Sequence, residues 1–189
     1  MLVEAPKHSM MIDLAIGLFA GLLATQVTNL AQTPLKWVTP ENVDRHEKKV
    51  RPGASSSLVA AQKLAKAMDV SLSDKEEALW GKAIHFAIGI GWGPVYGLLR
   101  QYTGLRPIGA ALASGVGMSL ILDEGLVPAL GLSAPNHQYH ALTRARGVVA
   151  HLVYGTAVAF AVEGLGRLVS PDPDAEGKEH ETFASGRNA

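Results

Sequence analysis

The chain has 189 residues, 17 Lys plus Arg against 17 Asp plus Glu, and no cysteine. Zero formal charge offers no basic footprint for nucleic acid, and the missing thiols exclude disulfides and thiolate metal sites. Hydrophobic residues make up 48%, an ordinary share, so the information lies in how they are distributed.

Charge gathers in 36–51, 63–82 and 167–187, leaving long windows almost without it. A soluble helix interrupts its apolar face with polar residues because one side meets water. These windows do not, and an apolar run of about 18 or more residues marks a membrane span. The predicted fold is therefore all-α: an integral membrane bundle of four transmembrane helices with one amphipathic loop helix, with the lipid bilayer as its first partner.

The first span is expected at 13–35. Leu14 to Leu35 carries no ionisable side chain, and at about 1.5 Å per residue it covers the roughly 30 Å hydrocarbon layer. Asp13 stands at its entrance, and Lys36 and Trp37 follow at interface depth. A cleaved secretory signal is the competing reading. The long core, Asp13 and the missing small-residue cleavage site argue against it.

Residues 37–78 form a polar loop. Glu41 to Arg51 alternates charges and is most simply a solvated connection, punctuated by Arg51-Pro52-Gly53. Ser55, Ser56 and Ser57 can cap a short helix over 57–69. There Leu58, Ala61, Leu64, Ala65 and Met68 share a face opposite Gln62, Lys63 and Lys66. Such a helix lies in the headgroup region or packs over the end of the bundle.

The second span, 79–100, follows Ser73-Asp74-Lys75-Glu76, an S-x-x-E capping box. Trp80 and Tyr102 bracket it, and from Ala83 to Leu99 only His85 can carry a charge. The third, 107–132, begins after Arg106-Pro107 and contains Asp123 and Glu124. Pro128 is expected to kink or end its regular helix. Because the uncharged part stops at Leu122, the acidic pair stands either inside the span or at its far interface. Asn136 could cap a helix carrying His137 and His140, a weak metal-binding pattern. The fourth span, 146–168, holds His151 and Glu163, and 170–189 is expected to be a disordered tail. Four spans place both termini on one side. Six of the basic residues then fall on that side and eleven on the other, which puts the long loop in the cytoplasm.

In lipid, helices associate through close backbone approach rather than through burial from water. Small residues recur four apart for that purpose: Gly17 and Gly21; Gly89, Gly93 and Gly97; Gly109, Ala113 and Gly117; Gly155 and Ala159. The expected use is packing within the bundle, with a spare groove serving a homodimer or a larger membrane complex.

Ionisable groups inside spans are costly and are functional candidates by default. The candidate intramembrane polar site comprises His85, Asp123, Glu124, His151 and Glu163. Facing a common interior, two imidazoles and the carboxylates could relay protons or hold a cation. Near helix ends, His85 and Glu163 would instead snorkel to water. No serine-nucleophile, H-E-x-x-H, phosphate-loop or dinucleotide motif occurs, so no catalytic residue, cofactor or dedicated metal site is predicted.

Four segments resemble the YagU-like inner-membrane family of bacteria, whose function is unknown. They are A-I-G-L-F-A-G-L-L-A-T on the first span and I-H-F-A-I-G-I-G-W-G-P-V-Y-G on the second, then L-V-P-A-L-G-L-S-A-P and A-H-L-V-Y-G. The resemblance implies a small multi-spanning protein of the bacterial inner membrane and supplies no catalytic residues. Asp123-Glu124 lies outside it. The expected function is that of a structural or accessory membrane component. The alternative is a proton- or cation-coupled transporter or channel.

Overall fold

A computed structural model describes residues 10–169; the segment 170–189, expected to be a disordered tail, lies outside the described residues. Six helices follow one another: α1 Met10–Trp37, α2 Glu41–Val50, α3 Ser56–Ala67, α4 Asp74–Thr103, α5 Pro107–Ala129 and α6 Ala141–Val169. A short 3-10 turn, Asn136–Gln138, precedes α6. No strand occurs among the described residues.

Local chemistry explains the boundaries. In α1, Asp13 sits in the first turn and Lys36 in the last, the arrangement the helix dipole favours. At the start of α4, the Ser73 N–H and hydroxyl donate to Glu76 Oε2 at 2.8 and 2.7 Å. Those bonds hold the Glu76 carboxyl below its ordinary pKa. The helix stops at Gly104, whose φ of +65° lies in the left-handed region that favours glycine. In α5, Ser119–Leu126 is wound as a π-helix just ahead of Pro128. Proline brings no N–H and its ring crowds the carbonyl four residues earlier, here Glu124, so the wider winding absorbs what the α register cannot.

Of Glu41 to Arg51, expected as a solvated connection, all but the extended cap residue Arg51 forms the helix α2. Its alternating charges satisfy the i, i+4 spacing: Lys48 reaches Asp44 at 2.6 Å and Arg45 reaches Glu41 at 3.7 Å. The Lys48 ammonium lowers the Asp44 carboxyl's pKa. α3 packs against α4. It buries Val59 and Ala61 while Leu64 and Met68 stay exposed, and Gln62 Nε2 donates to Glu77 at 2.6 Å.

The four long helices close in a ring. α1 packs against α4 and α6, and α5 against α6 and α4. The shared core consists of small residues, Ala20, Ala24, Ala110, Ala111 and Ala159, with Tyr96, Met118, Tyr154 and Val158 between them. Large apolar side chains point the other way: Leu14, Phe19, Leu23, Val27 and Leu30 of α1 are exposed, as are Ile121 and Phe160. A water-soluble bundle would bury these. With small residues inside and large ones outside, the surface suits hydrocarbon.

Three helices, α1, α5 and α6, are long and apolar enough to cross a membrane. Among the described residues that measure supports three of the four expected spans, and α4 is not among them. Its sequence carries five glycines, Pro94, His85 and a charged first turn, which dilute its hydropathy without shortening it.

The expected glycine stripes sort into two groups. A Cβ at Gly21 would lie 2.7 Å from Gly89 O, one at Gly17 2.7 Å from the Pro94 Cα, and one at Gly93 2.9 Å from the Gly21 Cα. At these three glycines α1 and α4 touch backbone to backbone, and Gly89 meets the Thr25 side chain. Gly155 performs the same task on α6, where a Cβ would meet Gly115 N at 2.9 Å. Gly97 has nothing within 4 Å, Gly109 meets only the Leu105 side chain of its own turn, and Gly117 meets Trp92 at 3.9 Å. Those three do not mediate close approach. On α5 the contact is made by Gly115, with Ala111 beside it, one register away from the expected stripe.

Candidate functional site at the loop end of the bundle

The polar residues of the spans form two separate groups. The larger lies where α2, the end of α5, the 3-10 turn and the start of α6 meet. On α6, Arg144, Gly147 and His151 fall on one face, and the acidic pair of α5 stands against it. His151 Nε2 donates to Asp123 Oδ2 at 2.8 Å, and a Cβ at Gly147 would lie 3.5 Å from the same oxygen. Glu124 accepts from Asn136 Nδ2 at 2.7 Å and pairs with Arg144 at 3.4 Å. Asn136, expected to cap a helix of His137 and His140, instead donates to Glu124 and to the Asp123 carbonyl at 3.2 Å. No helix follows it directly because Tyr139 is extended.

One layer further out, Glu47 of α2 is 4% exposed. Arg146 Nη2 donates to its Oε2 at 2.6 Å, and Arg51 donates to Oε1. Arg146 also reaches Thr39 Oγ1 at 3.0 Å. One carboxylate thereby ties α2 to α6, and its arginine ties both to the end of α1. His46 Nε2 bonds the Gln138 carbonyl at 2.7 Å, and Lys63 Nζ the Leu130 carbonyl at 2.7 Å. The short helices are thus pinned onto the loops between α5 and α6.

His85 does not join this group by hydrogen bond. It is exposed, and its Nε2 bonds Asn29 Oδ1 of α1 at 3.1 Å. Glu163 lies 12 residues beyond His151 on α6, about 18 Å along the axis. There its Oε1 accepts from the Tyr96 hydroxyl at 2.7 Å and from Arg100 Nε at 3.0 Å. The five expected site residues therefore divide into a His151–Asp123 pair, Glu124 with its own partners, His85 bonded to Asn29 yet within electrostatic reach of His151, and Glu163 near the opposite end. Among the described residues, no three His, Asp or Glu side chains converge as a metal would require.

The sequence reading missed the Glu47–Arg146 pair and the bond from Asn136 to Glu124, along with Tyr154, whose hydroxyl donates to the Gly89 carbonyl across the core. The signal available was the pairing of Arg144 and Arg146 with an acidic dipeptide. It could not point to Glu47, almost 100 residues earlier.

No family model, no curated protein and no solved structure matches the chain.

Proposed function

We propose that the chain is a four-span membrane bundle acting as a structural or accessory component, of a bacterial inner membrane as the YagU-like resemblance implies. Its work is then done by its surfaces rather than by a catalytic centre. The observation that carries this reading is the backbone-on-backbone closure of both helix pairs, at Gly21–Gly89–Gly93 and at Gly115–Gly155. Interfaces that tight leave no aqueous lane between the paired helices. The charged groups at either end have partners, Glu47 with two arginines and Glu163 with Arg100 and Tyr96. Support for α4 as the fourth span comes from its 30 residues, about 45 Å, and from its packing along α1.

A second reading, proton-coupled transport, has one observation in its favour. Asp123, the partner of His151 on α6, lies within the π-wound part of α5, and π segments recur at functional sites. Vesicles holding the reconstituted protein and an internal pH indicator separate the two. On the structural reading, an imposed pH gradient decays no faster than in protein-free vesicles. An accelerated decay that His151→Ala abolishes would replace it with the transport reading.

A further inference from the structure

On the outer side of the α5–α6 pair, a groove of about 380 Å³ opens toward the bundle end that carries Glu163. Ala111 and Ala159, both buried, form its floor, and Ile108 and Phe160, both more than three-quarters exposed, form its walls. We propose that this groove holds one acyl chain of an anionic phospholipid whose phosphate pairs with Arg167.

Three observations lead there. The lining is apolar over most of its length and becomes charged only at one end, where Glu163 and Arg167 stand. The charge at that end is positive in balance. Glu163 already accepts from Arg100 and Tyr96, whereas Arg167, and Arg106 just ahead of the lining residue Pro107, carry no ion pair among the described residues. A planar guanidinium is well matched to phosphate oxygens. The length decides the occupant. From Thr156 to Arg167, 11 positions further along α6, the groove runs about 16 Å, which is one leaflet of a roughly 30 Å hydrocarbon layer. A transmembrane helix of a second copy would need a groove running the full thickness. An acyl chain needs half.

The proposal rests on the membrane reading, and its test fails separately from that reading. The full chain, purified in detergent, is titrated with phosphatidylglycerol and with phosphatidylcholine, following retained lipid by native mass spectrometry and thermal stability in parallel. The expected result is one retained phosphatidylglycerol, bound roughly tenfold more tightly than phosphatidylcholine, as one charge-assisted contact gives. Arg167→Gln, at an exposed position in the last turn, removes that preference and leaves phosphatidylcholine binding unchanged. Leu112→Trp, which fills the groove, weakens both lipids. Equal retention of the two lipids, a preference that survives Arg167→Gln, an equal shift with inorganic phosphate alone, or a dimer in place of the lipid each overturns the proposal. A chain that stays folded and dispersed without any amphiphile overturns the membrane reading itself.

Discussion

At Glu47, a carboxylate removed from water is surrounded by Arg51, Arg146 and the Thr143 hydroxyl. Burying an ion pair contributes little net stability, because desolvation offsets the Coulombic gain, yet removing one partner leaves the others charged and buried. Glu47→Ala is therefore expected to cost roughly 3–5 kcal/mol. That would appear as a lowered unfolding midpoint in detergent, together with faster amide exchange in α2 as it releases from α6. The pair Arg45–Glu41, 69% and 83% exposed, supplies the control, since exposed pairs contribute about 0–1 kcal/mol. If Glu41→Ala and Glu47→Ala shift the midpoint equally, Glu47 does not organise this end of the bundle. Asp123 differs from Glu47 in being half open, with one oxygen on His151. Its neighbour Glu124 is held by groups on two other segments. Two adjacent carboxylates thus have unlike surroundings, which their adjacency in sequence does not reveal.

On the scale of helices, the division between glycines that touch a neighbour and glycines that do not makes a paired test. A Cβ at Gly93 would be driven into the backbone of α1 at Gly17 and Gly21, neither of which can move aside. Gly93→Ala is expected to destabilise by about 1–3 kcal/mol through overpacking. Gly97→Ala, one turn on, meets open space and gains helix propensity, up to roughly 1 kcal/mol in the soluble scale. Unfolding midpoints of the two variants that move together would show that α1 and α4 do not meet where this register places them. Equal spacing in sequence hid the distinction. The repeats at Gly89, Gly93 and Gly97 are identical on paper, and only the crossing of α1 selects two of them. The same holds on α5, where glycine and alanine are so frequent that several stripes four residues apart compete. His151 and Leu152 of α6 choose the one through Gly115. Long uncharged windows were legible because a helix in lipid is specified by its own composition. Contacts between helices were not, because they are specified by the partner. α2 shows the converse. Its charges were visible, but the buried role of Glu47 depends on Arg146 far along the chain.

Across the whole molecule, the distribution of side-chain size carries the strongest physical statement. Alanine and glycine fill the centre while leucine, isoleucine and phenylalanine coat the outside, an arrangement that water penalises and hydrocarbon accepts. α4 tests how far that statement extends, since it packs like its neighbours but is less apolar than α1, α5 and α6. Its Gly89 and Gly93 face α1, where no lipid reaches, so a modest hydropathy suffices provided its outward residues, Ile88 and Leu98 among them, are apolar. The chain holds no cysteine, so single cysteines can be placed without background. Ser71→Cys, Thr103→Cys and His137→Cys, all at exposed positions, report the three connections. If α4 crosses, an impermeant thiol reagent on intact cells reaches Thr103→Cys and spares the other two, since the basic surplus lies with the long loop. If α4 stays on one side, Ser71→Cys and Thr103→Cys share a fate and His137→Cys takes the opposite one. The ring of four helices would then have to enclose a member that lipid never surrounds, and the apolar exposure of Ile88 and Leu98 would need a protein partner to cover it.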